Sequence, residues 1–516
     1  MREFNITGKI IPEQHYHIDL TPHIEKLMAL VSKKAYFVIN RPRQFGKTTI
    51  LNFLAHRLRA SNDYLPILIS FEGLGANPDL SPKVFYNGFW QKLLLYLQVV
   101  NMAPAWQPVE AFETESAQQF QHNTHAFCKA VGEKRLVLLI DEVDSIPETV
   151  VLPFLRALRE MYLERDVFPT FHNVVLAGVH DIKNLKARYR DESASLGSAS
   201  PFIIAISYEL PPFSRENIQQ YFLQHTTETG QRFDEAVIAR VHALTSGHPW
   251  LVSALAKLLV EEIVPDRAVA IGISHLDQAV QQLLSTSNTN FDSLIKHAHQ
   301  PDLQPIILDI LQGKHYSFTP FDPLLNRLAI FGVIRTDESR RCLIGNQIYA
   351  QVLLASFHRI MASQIFNGEI RAGAEDAAGR LDFQRVLDKF QAFMKTKGAD
   401  LVRSNQFKEA TGELLLLSYL DLLVNGKGWT FKQVQSGEGR IDVICCYGRQ
   451  KEVVELKLWY GERRYEDGLE QLVKYLESES LARGYLVVFD RRENSPKEYR
   501  FSEHVVAGKQ IQAWVV

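Results

Sequence analysis

The stretch "NRPRQFGKTT" at residues 40–49 decides the fold, because it joins a short apolar run to a long helical pattern. A phosphate-binding P-loop takes this position between a strand and a helix, where backbone N–H groups and the helix dipole point at phosphate oxygens. Gly46, Lys47 and Thr48 stand where that mechanism needs them, but Arg41 replaces the first glycine of such a loop. By itself, the stretch is equally typical of a basic surface turn.

A second stretch, "RLVLLIDEVD" at residues 135–144, is an apolar run that ends in two adjacent carboxylates. Asp141 is expected to bind Mg²⁺, and Glu142 to orient and deprotonate the water that attacks a phosphoryl group. The alternative is a strand followed by a helix-capping aspartate and a solvated glutamate. Asp141 follows Lys47 by 94 residues (141 minus 47), one α/β segment away, which predicts adjacent strands. Together the two stretches predict a site for ATP or GTP.

Composition places the chain among ordinary globular proteins, with 46% apolar and 22% charged residues. Its length of 516 residues predicts about three domains. The net charge of −2 gives no general attraction to nucleic acid, although a local basic face stays open. Four cysteines without metal-ligand spacing indicate a reducing compartment, and no apolar run reaches membrane-spanning length. We therefore expect a cytoplasmic protein that does not enter a membrane.

The first two fifths of the chain show the pattern of an α/β fold. Short β-branched apolar runs alternate with helical patterns, as in a parallel sheet that is covered on both faces. Five buried strands with intervening helices predict a doubly wound nucleotide-binding architecture. The predicted strands lie at residues 35–40, 65–71, 135–141, 173–179 and 202–208.

Changes in periodicity and composition predict the domain bounds. After residue 213 the strand runs give way to a 3.6-residue period, which indicates helices. The Gly/Ala-rich stretch "NGEIRAGAEDAAGR" indicates a linker. The predicted segments are a nucleotide-binding core at 1–213, a helical lid at 214–300, a winged-helix-like or helical module at 301–366, the linker at 367–380 and a smaller α/β domain at 381–516.

The front half resembles the bacterial and archaeal AAA-ATPase-like proteins, in which the P-loop reads Arg-Pro-Arg-x-Phe-Gly-Lys-Ser/Thr. The resemblance is carried by "RPRQFGKTT", "VLLIDEVD", "VVLAGVHDIKNLK", "SPFIIA" and "TSGHPWLVSALA", and covers about residues 15–265. It implies that Arg41 belongs to a nucleotide loop, with Thr48 and Asp141 at Mg²⁺. The loop residues expected at ATP are Arg41, Pro42, Arg43, Gln44, Phe45, Gly46, Lys47, Thr48 and Thr49.

The same resemblance implies further residues near the nucleotide. His180 and Asp181 would sense the γ-phosphate from the end of the fourth strand, and residues 247–249 (Gly-His-Pro) would approach from the lid. Arg188 and Arg190 would reach the site of a neighbouring subunit, which implies a homo-oligomer. The alternatives are a polar turn, a helix-breaking loop and a solvated charged loop, respectively.

A second group of charged residues lies in "GEGRIDVICCYGRQKEVVELKLW" at residues 437–459. Glu455 and Lys457 are two residues apart, on one face of a predicted strand, and Asp442 precedes Glu455 by 13 residues (455 minus 442), as a hairpin requires. Two carboxylates and a lysine can hold Mg²⁺ and position water against a phosphodiester. The alternative is a half-exposed strand whose Glu455 and Lys457 form an ion pair in water.

This region, at about residues 405–495, resembles the PD-(D/E)xK nuclease superfamily. The resemblance implies that Asp442 and Glu455 ligate Mg²⁺, that Lys457 orients water or stabilises the transition state, that Glu413 assists the metal through water, and that Gln471 is an added helix residue. Nearby basic residues would contact phosphates, each with salt-dependent affinity, unless they form a solvated face. They are Arg440, Lys451, Arg463, Arg464 and Lys474.

Together these patterns predict an AAA-like ATPase joined to a restriction-endonuclease-like domain that acts on DNA with Mg²⁺. Proteins with such a front half commonly carry this domain, and that context implies defence against foreign DNA, including antiviral defence. One rival is an ATP-dependent switch whose last domain binds nucleic acid or a protein without cleaving. The other is a signalling ATPase whose last sheet serves dimerisation.

Overall fold

The computed structural model describes residues 2–77, 80–100, 114–178, 204–311, 314–365, 375–376, 379–395, 412, 415–417, 419–420, 428–436, 439–490 and 499–516. The chain forms two compact units. The first comprises Met1–Asn290, Thr319–Arg335 and Gly345–Gln347, and the second Phe291–Phe318, Thr336–Ile344 and Ile348–Val516. Among the described residues, no helix is both long and apolar enough to cross a bilayer.

The first unit begins with a parallel α/β sheet, as the sequence predicts. All five predicted apolar runs contribute strands, and helices lie between β1 and β2, between β2 and β3, and between β3 and β4. The elements are α1 (Thr21–Ser32), β1 (Phe37–Asn40), α2 (Lys47–Arg59), β2 (Tyr64–Ser70), α3 (Glu72–Gly75), α4 (Pro82–Val99), α5 (Ala117–Val131), β3 (Arg135–Asp141), α6 (Glu148–Leu163), β4 (Asn173–Gly178) and β5 (Ile206–Glu209).

The strand order is β2-β3-β4-β1-β5, and every pair is parallel. The prediction that the strands of Lys47 and Asp141 are adjacent is therefore wrong, since β4 lies between β1 and β3. Sequence separation does not encode strand order, because a crossover helix can carry the chain past a neighbouring position. The carboxyl ends of β1, β4 and β3 still meet at one edge of the sheet.

Both faces of this sheet are buried, which explains the nearly continuous apolar runs. On β3, Leu138 belongs to the core formed with α4, α5 and α6, whereas Leu139 belongs to the core formed with α1 and α2. The fifth strand departs from the prediction of a buried strand. It lies at the sheet edge, where Ile206 is 45% exposed.

Helices follow the sheet. Ser214 starts the first of them with a capping box, in which its side chain accepts from the Asn217 N–H and Asn217 accepts from the Ser214 N–H. The elements are α7 (Arg215–Thr229), α8 (Glu235–Thr245), α9 (Pro249–Leu258), α10 (Ile273–Ser285), α11 (Thr289–Ala298), α12 (Gln304–Leu311), α13 (Pro323–Ile330), β6 (Ile334–Thr336), β7 (Cys342–Ile344) and α14 (Gln347–Ile365).

The second unit contains a six-stranded mixed sheet in the order β12-β13-β11-β10-β9-β8. Strands β8, β9 and β10 are antiparallel, β10, β11 and β13 are parallel, and β12 is antiparallel to β13. Its elements are α15 (Phe383–Phe393), β8 (Gly428–Ser436), β9 (Gly439–Tyr447), β10 (Gln450–Leu458), α16 (Glu462–Ser478), β11 (Arg483–Phe489), β12 (Arg500–Val506) and β13 (Lys509–Val515).

Helices cover both faces of the second sheet. Helix α15 contributes Phe383 and Phe390 to one core, and α16 contributes Leu472 and Leu476 to the other. Sequence analysis predicted the strands of Asp442 and Glu455, which are β9 and β10, and the helix of Gln471, which is α16, but not β8, β12 or β13. Strand β12 alternates half-buried and exposed residues and has little apolar signal.

Part of the predicted linker is attached to the second sheet. The Tyr447 hydroxyl donates to Glu375, and the Leu381 N–H donates to the Gln450 side chain at 2.7 Å. The rest of residues 367–380 lies outside the described residues, except for Asp376, Gly379 and Arg380. The domain bounds remain predictions.

Candidate functional site

The turn between β1 and α2 has the backbone shape of a phosphate loop. Gly46 has φ +84° and caps α2 in the left-handed conformation, where glycine is favoured. A Cβ on Gly46 would meet nothing within 4 Å, so the backbone conformation and not space requires glycine. The N–H groups of the first turn of α2, from Lys47, have no partners within the helix and can receive an anion.

Lys47 lies inside this turn. Its Nζ donates to the carbonyl oxygens of Arg41 at 2.8 Å and Pro42 at 2.9 Å, and the residue is 5% exposed. Burial lowers the pKa of Lys47, and the neighbouring carboxylates, Asp144 most strongly, oppose this change. The loop carbonyls hold the ammonium where a phosphate oxygen can replace them.

Asp141 ends β3 directly beside the first turn of α2. The Thr48 hydroxyl donates to Asp141 Oδ2 at 2.6 Å, and the Glu142 N–H donates to Oδ1 at 3.0 Å. Burial raises the pKa of Asp141, and these two hydrogen bonds act in the opposite direction. A hydroxyl and a carboxylate at this distance are oxygen ligands of the kind that Mg²⁺ prefers.

The described residues contain no group of three or more His, Cys, Asp or Glu side chains that could hold a metal ion. A Mg²⁺ ion at Thr48 and Asp141 would therefore complete its coordination with phosphate oxygens and water, which is the usual mode for this ion.

Two further carboxylates, Glu142 and Asp144, follow Asp141 at the end of β3. Glu142 has φ +54°, an uncommon conformation for a residue with a side chain. Burial raises the pKa of Glu142, and Asp144 adds to that effect. Sequence analysis did not single out Asp144, whose Oδ1 is buried. A Cβ on Gly178 would lie 2.6 Å from this oxygen, so glycine at the end of β4 permits the close approach.

The residues that replace the usual loop glycine make contacts outside the loop. Arg41 donates from Nε to the Leu210 carbonyl, and its Nη2 lies 3.7 Å from a Glu209 carboxylate oxygen. The Arg41 guanidinium lies 5.2 Å from the Phe45 ring centroid, and the Phe45 and His248 ring centroids are 4.7 Å apart. Burial lowers the pKa of His248 to about 3, so its ring is neutral.

Gln44 and Pro42 extend these contacts. Gln44 donates to the Thr289 hydroxyl at 3.1 Å and accepts from Asn290 Nδ2 at 2.7 Å, both in the first turn of α11. A Cβ on Gly332 would lie 2.7 Å from Pro42 Cγ. Sequence analysis missed these partners, since nothing in the local pattern connects positions about 245 residues apart.

A cavity of about 820 Å³ lies over the loop. It is lined by the loop, by the ends of β2 and β3, by residues after β5, and by an N-terminal segment that sequence analysis did not assign. The Trp250 indole N–H donates to the Ile6 carbonyl at 3.0 Å, which links this segment to α9. The volume falls in the range of small-molecule and cofactor pockets.

Four residues predicted at this site lie outside the described residues. They are His180, Asp181, Arg188 and Arg190. Strand β4 ends at Gly178, which pairs with Asn40 at the start of the loop.

The predicted carboxylates of the second unit do meet. The Leu456 N–H donates to Asp442 Oδ2 at 2.8 Å, and Lys457 Nζ donates to Glu455 Oε1. Glu455 is 0% exposed and Lys457 5% exposed, so the alternative of an ion pair in water is wrong. Burial raises the pKa of Asp442, and the Leu456 N–H and Lys457 act in the opposite direction.

Helix α16 covers this cluster. A Cβ on Gly468 would lie 3.1 Å from Lys457 Cγ, so the helix passes close to the lysine. Gln471 donates to the Tyr475 hydroxyl at 2.7 Å and makes no hydrogen bond to the cluster among the described residues. Glu413 lies outside the described residues.

The predicted basic face of the second unit is mixed in charge. Lys451 pairs with Glu479. Helix α16 exposes both basic and acidic side chains, and the Arg440 side chain lies outside the described part. The exposed charged residues of α16 that bear on this point are Arg463, Arg464, Lys474, Glu462, Glu466, Asp467 and Glu470.

A parallel sheet with a glycine-lysine-threonine loop after β1 and an aspartate-glutamate pair after β3 defines a P-loop nucleotide hydrolase. A family model of the AAA-like domain matches residues 6–352, and the chain belongs to this family. It is therefore an ATP-binding and ATP-hydrolysing protein of the AAA-like class. No curated protein matches the chain.

Several solved structures are similar to the chain at low identity. A Walker-type ATPase of Pyrococcus abyssi is 15% identical over 68% of this chain and 99% of its own, with a TM-score of 0.48. The RuvB Holliday junction branch migration motor of Thermotoga maritima is 14% identical over 63% and 92%, with a TM-score of 0.35. Cdc6p of Pyrobaculum aerophilum is 12% identical over 70% and 97%, with a TM-score of 0.36. The assignment to the AAA-like family rests on the family model that matches residues 6–352 and not on these structures.

Proposed function

We propose that ATP binds in the cavity of the first unit with its phosphates on the loop of residues 41–48. The hydrogen bond between Thr48 and Asp141 supports this most directly, because it places two oxygen ligands for Mg²⁺, a hydroxyl and a carboxylate, at the N-terminus of α2. Lys47 would exchange the Arg41 and Pro42 carbonyls for phosphate oxygens. Mg²⁺, when bound at Thr48 and Asp141, neutralises charge on the β- and γ-phosphates.

Glu142 is the proposed general base. Burial raises its pKa, which brings the carboxylate closer to the pH at which it must take a proton from water. The left-handed backbone conformation of Glu142 turns its side chain away from the direction of β3. The side chain lines the cavity. Asp141, by contrast, accepts two hydrogen bonds and is the proposed metal ligand.

Glu142→Gln tests this assignment. The variant should bind ATP as well as the wild type, since the side-chain shape is kept, but hydrolyse it at least about 10²-fold more slowly. Glu133→Gln is a matched control, because Glu133 is exposed and lies before the opposite end of β3. Hydrolysis that survives in Glu142→Gln would contradict the assignment.

We further propose that the second unit cleaves DNA phosphodiesters with Mg²⁺. Support comes from Asp442, Glu455 and Lys457, which share one face of paired strands. Asp442 and Glu455 would hold the ion, and Lys457 would stabilise developing negative charge. Mg²⁺, when bound, would polarise the phosphodiester. The resemblance assigns Glu413 and Gln471 as assisting residues. A role against foreign DNA and a homo-oligomeric state remain predictions from the two resemblances.

One observation favours the alternative of an ATP-dependent switch that binds nucleic acid or a protein without cleaving. Glu455 is completely buried and already neutralised by Lys457, so a metal ion must displace a strong ion pair. A cluster of this kind also serves as a structural core element.

Cleavage of labelled linear, circular and single-stranded DNA, with Mg²⁺ or Mn²⁺ and with or without ATP, separates the two functions. Glu455→Gln should abolish cleavage, and Lys47→Ala should remove its dependence on ATP. Glu452→Gln is the matched control, because Glu452 is a buried glutamate on the opposite face of the same strand. No cleavage of any substrate, by protein that still hydrolyses ATP, favours the switch.

A further inference from the structure

The two arginines of the loop, Arg41 and Arg43, look equivalent in sequence but differ in environment. Arg41 is half-buried and turned toward the end of β5, where its Nε donates to the Leu210 carbonyl and its Nη2 approaches Glu209 at 3.7 Å. Phe45 packs against its guanidinium. These contacts hold Arg41 as part of the scaffold that shapes the loop, so it is not available to a ligand.

Arg43 has the opposite environment. It is exposed and lines the cavity together with Lys47, Thr48 and Glu142. No hydrogen bond or ion pair holds its side chain among the residues that the structure describes. Its charge nevertheless acts on the reaction site. Burial is the main cause of the raised pKa of Glu142, and Arg43 is one of the two cations that lower it.

Phosphoryl transfer needs positive charge beside the γ-phosphoryl group. Charge spreads over the three outer oxygens of the γ-phosphoryl group in the transition state, and catalysis consists largely of positioning and electrostatic stabilisation. Lys47 is a single point charge inside the loop. A guanidinium offers five donors in a planar fork that matches phosphate oxygens.

We propose that Arg43 is a catalytic residue that contacts the γ-phosphoryl group of the nucleotide bound to its own subunit. The inference rests on the proposed ATP hydrolysis at this site. Arg43 would donate hydrogen bonds to γ-phosphoryl oxygens and contact them most strongly in the transition state. The site then carries its own arginine, in addition to any that a neighbouring subunit supplies.

The step balances without a further reactant. The oxygen of water forms a bond to the γ-phosphorus, and the bond between that phosphorus and the β–γ bridging oxygen breaks. The bonding pair leaves with ADP, and one water proton passes to Glu142. Arg43 keeps all its protons, because a guanidinium does not titrate in this range.

The test compares full-length wild type with Arg43→Ala and Arg43→Lys. Arg57→Ala is the control, since Arg57 is an exposed arginine on α2 that does not line the cavity. Three quantities are measured for each: kcat for ATP hydrolysis, the Kd of a non-hydrolysable ATP analogue, and the Kd of ADP with aluminium fluoride, which resembles the transition state.

Arg43→Ala should lower kcat on the order of 10²–10³-fold, as removal of a transition-state donor does. Its affinity for the ATP analogue should change little, while affinity for ADP with aluminium fluoride falls in parallel with kcat. Arg43→Lys should recover only part of the loss, because it lacks the fork. Wild-type kcat in Arg43→Ala, or a loss confined to ATP-analogue affinity, would overturn the inference.

Mixing Arg43→Ala with Lys47→Ala subunits decides whether the residue acts within its own subunit. The Lys47→Ala subunits retain Arg43, so action across an interface would restore hydrolysis at the Arg43→Ala sites and overturn the proposal. We expect no restoration. Absence of hydrolysis in the wild type itself would defeat the proposed function, whereas hydrolysis that Arg43→Ala retains defeats only this inference.

Discussion

Each unit brings a lysine close to carboxylates, at the N-terminus of α2 beside β3 in the first and on paired strands in the second, but the lysines have different partners. Lys47 bonds to two backbone carbonyls beneath a cavity of about 820 Å³. Lys457 bonds to Glu455, and both side chains are buried beneath α16. Carbonyls are neutral and can be replaced by a ligand at low cost, whereas a buried carboxylate leaves an unpaired charge when its partner moves. The same residue types therefore form an open binding site in one unit and a closed cluster in the other.

Removal of each lysine should give the largest difference in stability between the two units. Lys457→Ala leaves Glu455 buried without its partner and should destabilise the second unit by about 3–5 kcal/mol. Lys47→Ala should destabilise the first unit by about 1 kcal/mol, since its carbonyl partners can turn to water in the cavity, although nucleotide binding is lost. Hydrogen exchange with mass spectrometry measures each unit separately.

A double variant controls for loss of packing. Glu455→Gln combined with Lys457→Met removes both charges and keeps similar volume, so it should recover most of the stability lost in Lys457→Ala. Equal destabilisation by Lys47→Ala and Lys457→Ala would show that the two clusters do not differ in the way described.

His248 in the first unit and Asp442 in the second should make contributions to stability that change with pH in opposite directions. Burial lowers the pKa of His248 from 6.5 to about 3, so its contribution to stability is present above pH 6.5 and is lost as pH falls toward 3. Burial raises the pKa of Asp442 above 3.8, so its contribution is present below pH 3.8 and is lost as pH rises through the folded value. Between pH 6.5 and 5, the first unit should lose about 2 kcal/mol through His248.

Hydrogen exchange at several pH values, in the presence of a chelator, tests the direction in which the stability of each unit changes with pH. His248→Phe keeps a ring against Phe45 and should remove the acid sensitivity of the first unit. Asp442→Asn should stabilise the second unit relative to wild type, by an amount that grows with pH. A wild-type second unit that gains stability relative to Asp442→Asn as pH rises would contradict the assignment.

The smallest expected effect concerns the contact between the loop and α11. Asn290→Ala removes the hydrogen bond that Gln44 accepts and should cost about 1 kcal/mol in the first unit. Because Gln44 belongs to the nucleotide loop, the affinity for ATP should fall by a few-fold, on the order of that energy. Calorimetric titration with ATP measures this affinity, and Asn288→Ala, at a half-buried neighbour before α11, is the control. An unchanged affinity would show that the contact does not shape the loop.

Much of the first unit was predictable because its signals are local. The five apolar runs became strands within a few residues of the predicted bounds, since a strand buried on both faces has a continuous apolar pattern. Lys47, Thr48 and Asp141 were identifiable because a phosphate loop and a strand-end carboxylate have short signatures. Strand β12 was missed because its polar alternation resembles a surface segment.

What the sequence by itself determined is the set of chemical groups: a lysine and threonine at a helix N-terminus, carboxylates at strand ends, and a second Asp, Glu and Lys on paired strands. Only the tertiary structure decided their environments. The insertion of β4 between β1 and β3, the turn of Arg41 toward Leu210, the exposure of Arg43 and the burial of Glu455 all depend on residues far apart in sequence. Burial and strand order arise from packing of the whole chain, and no short pattern carries them.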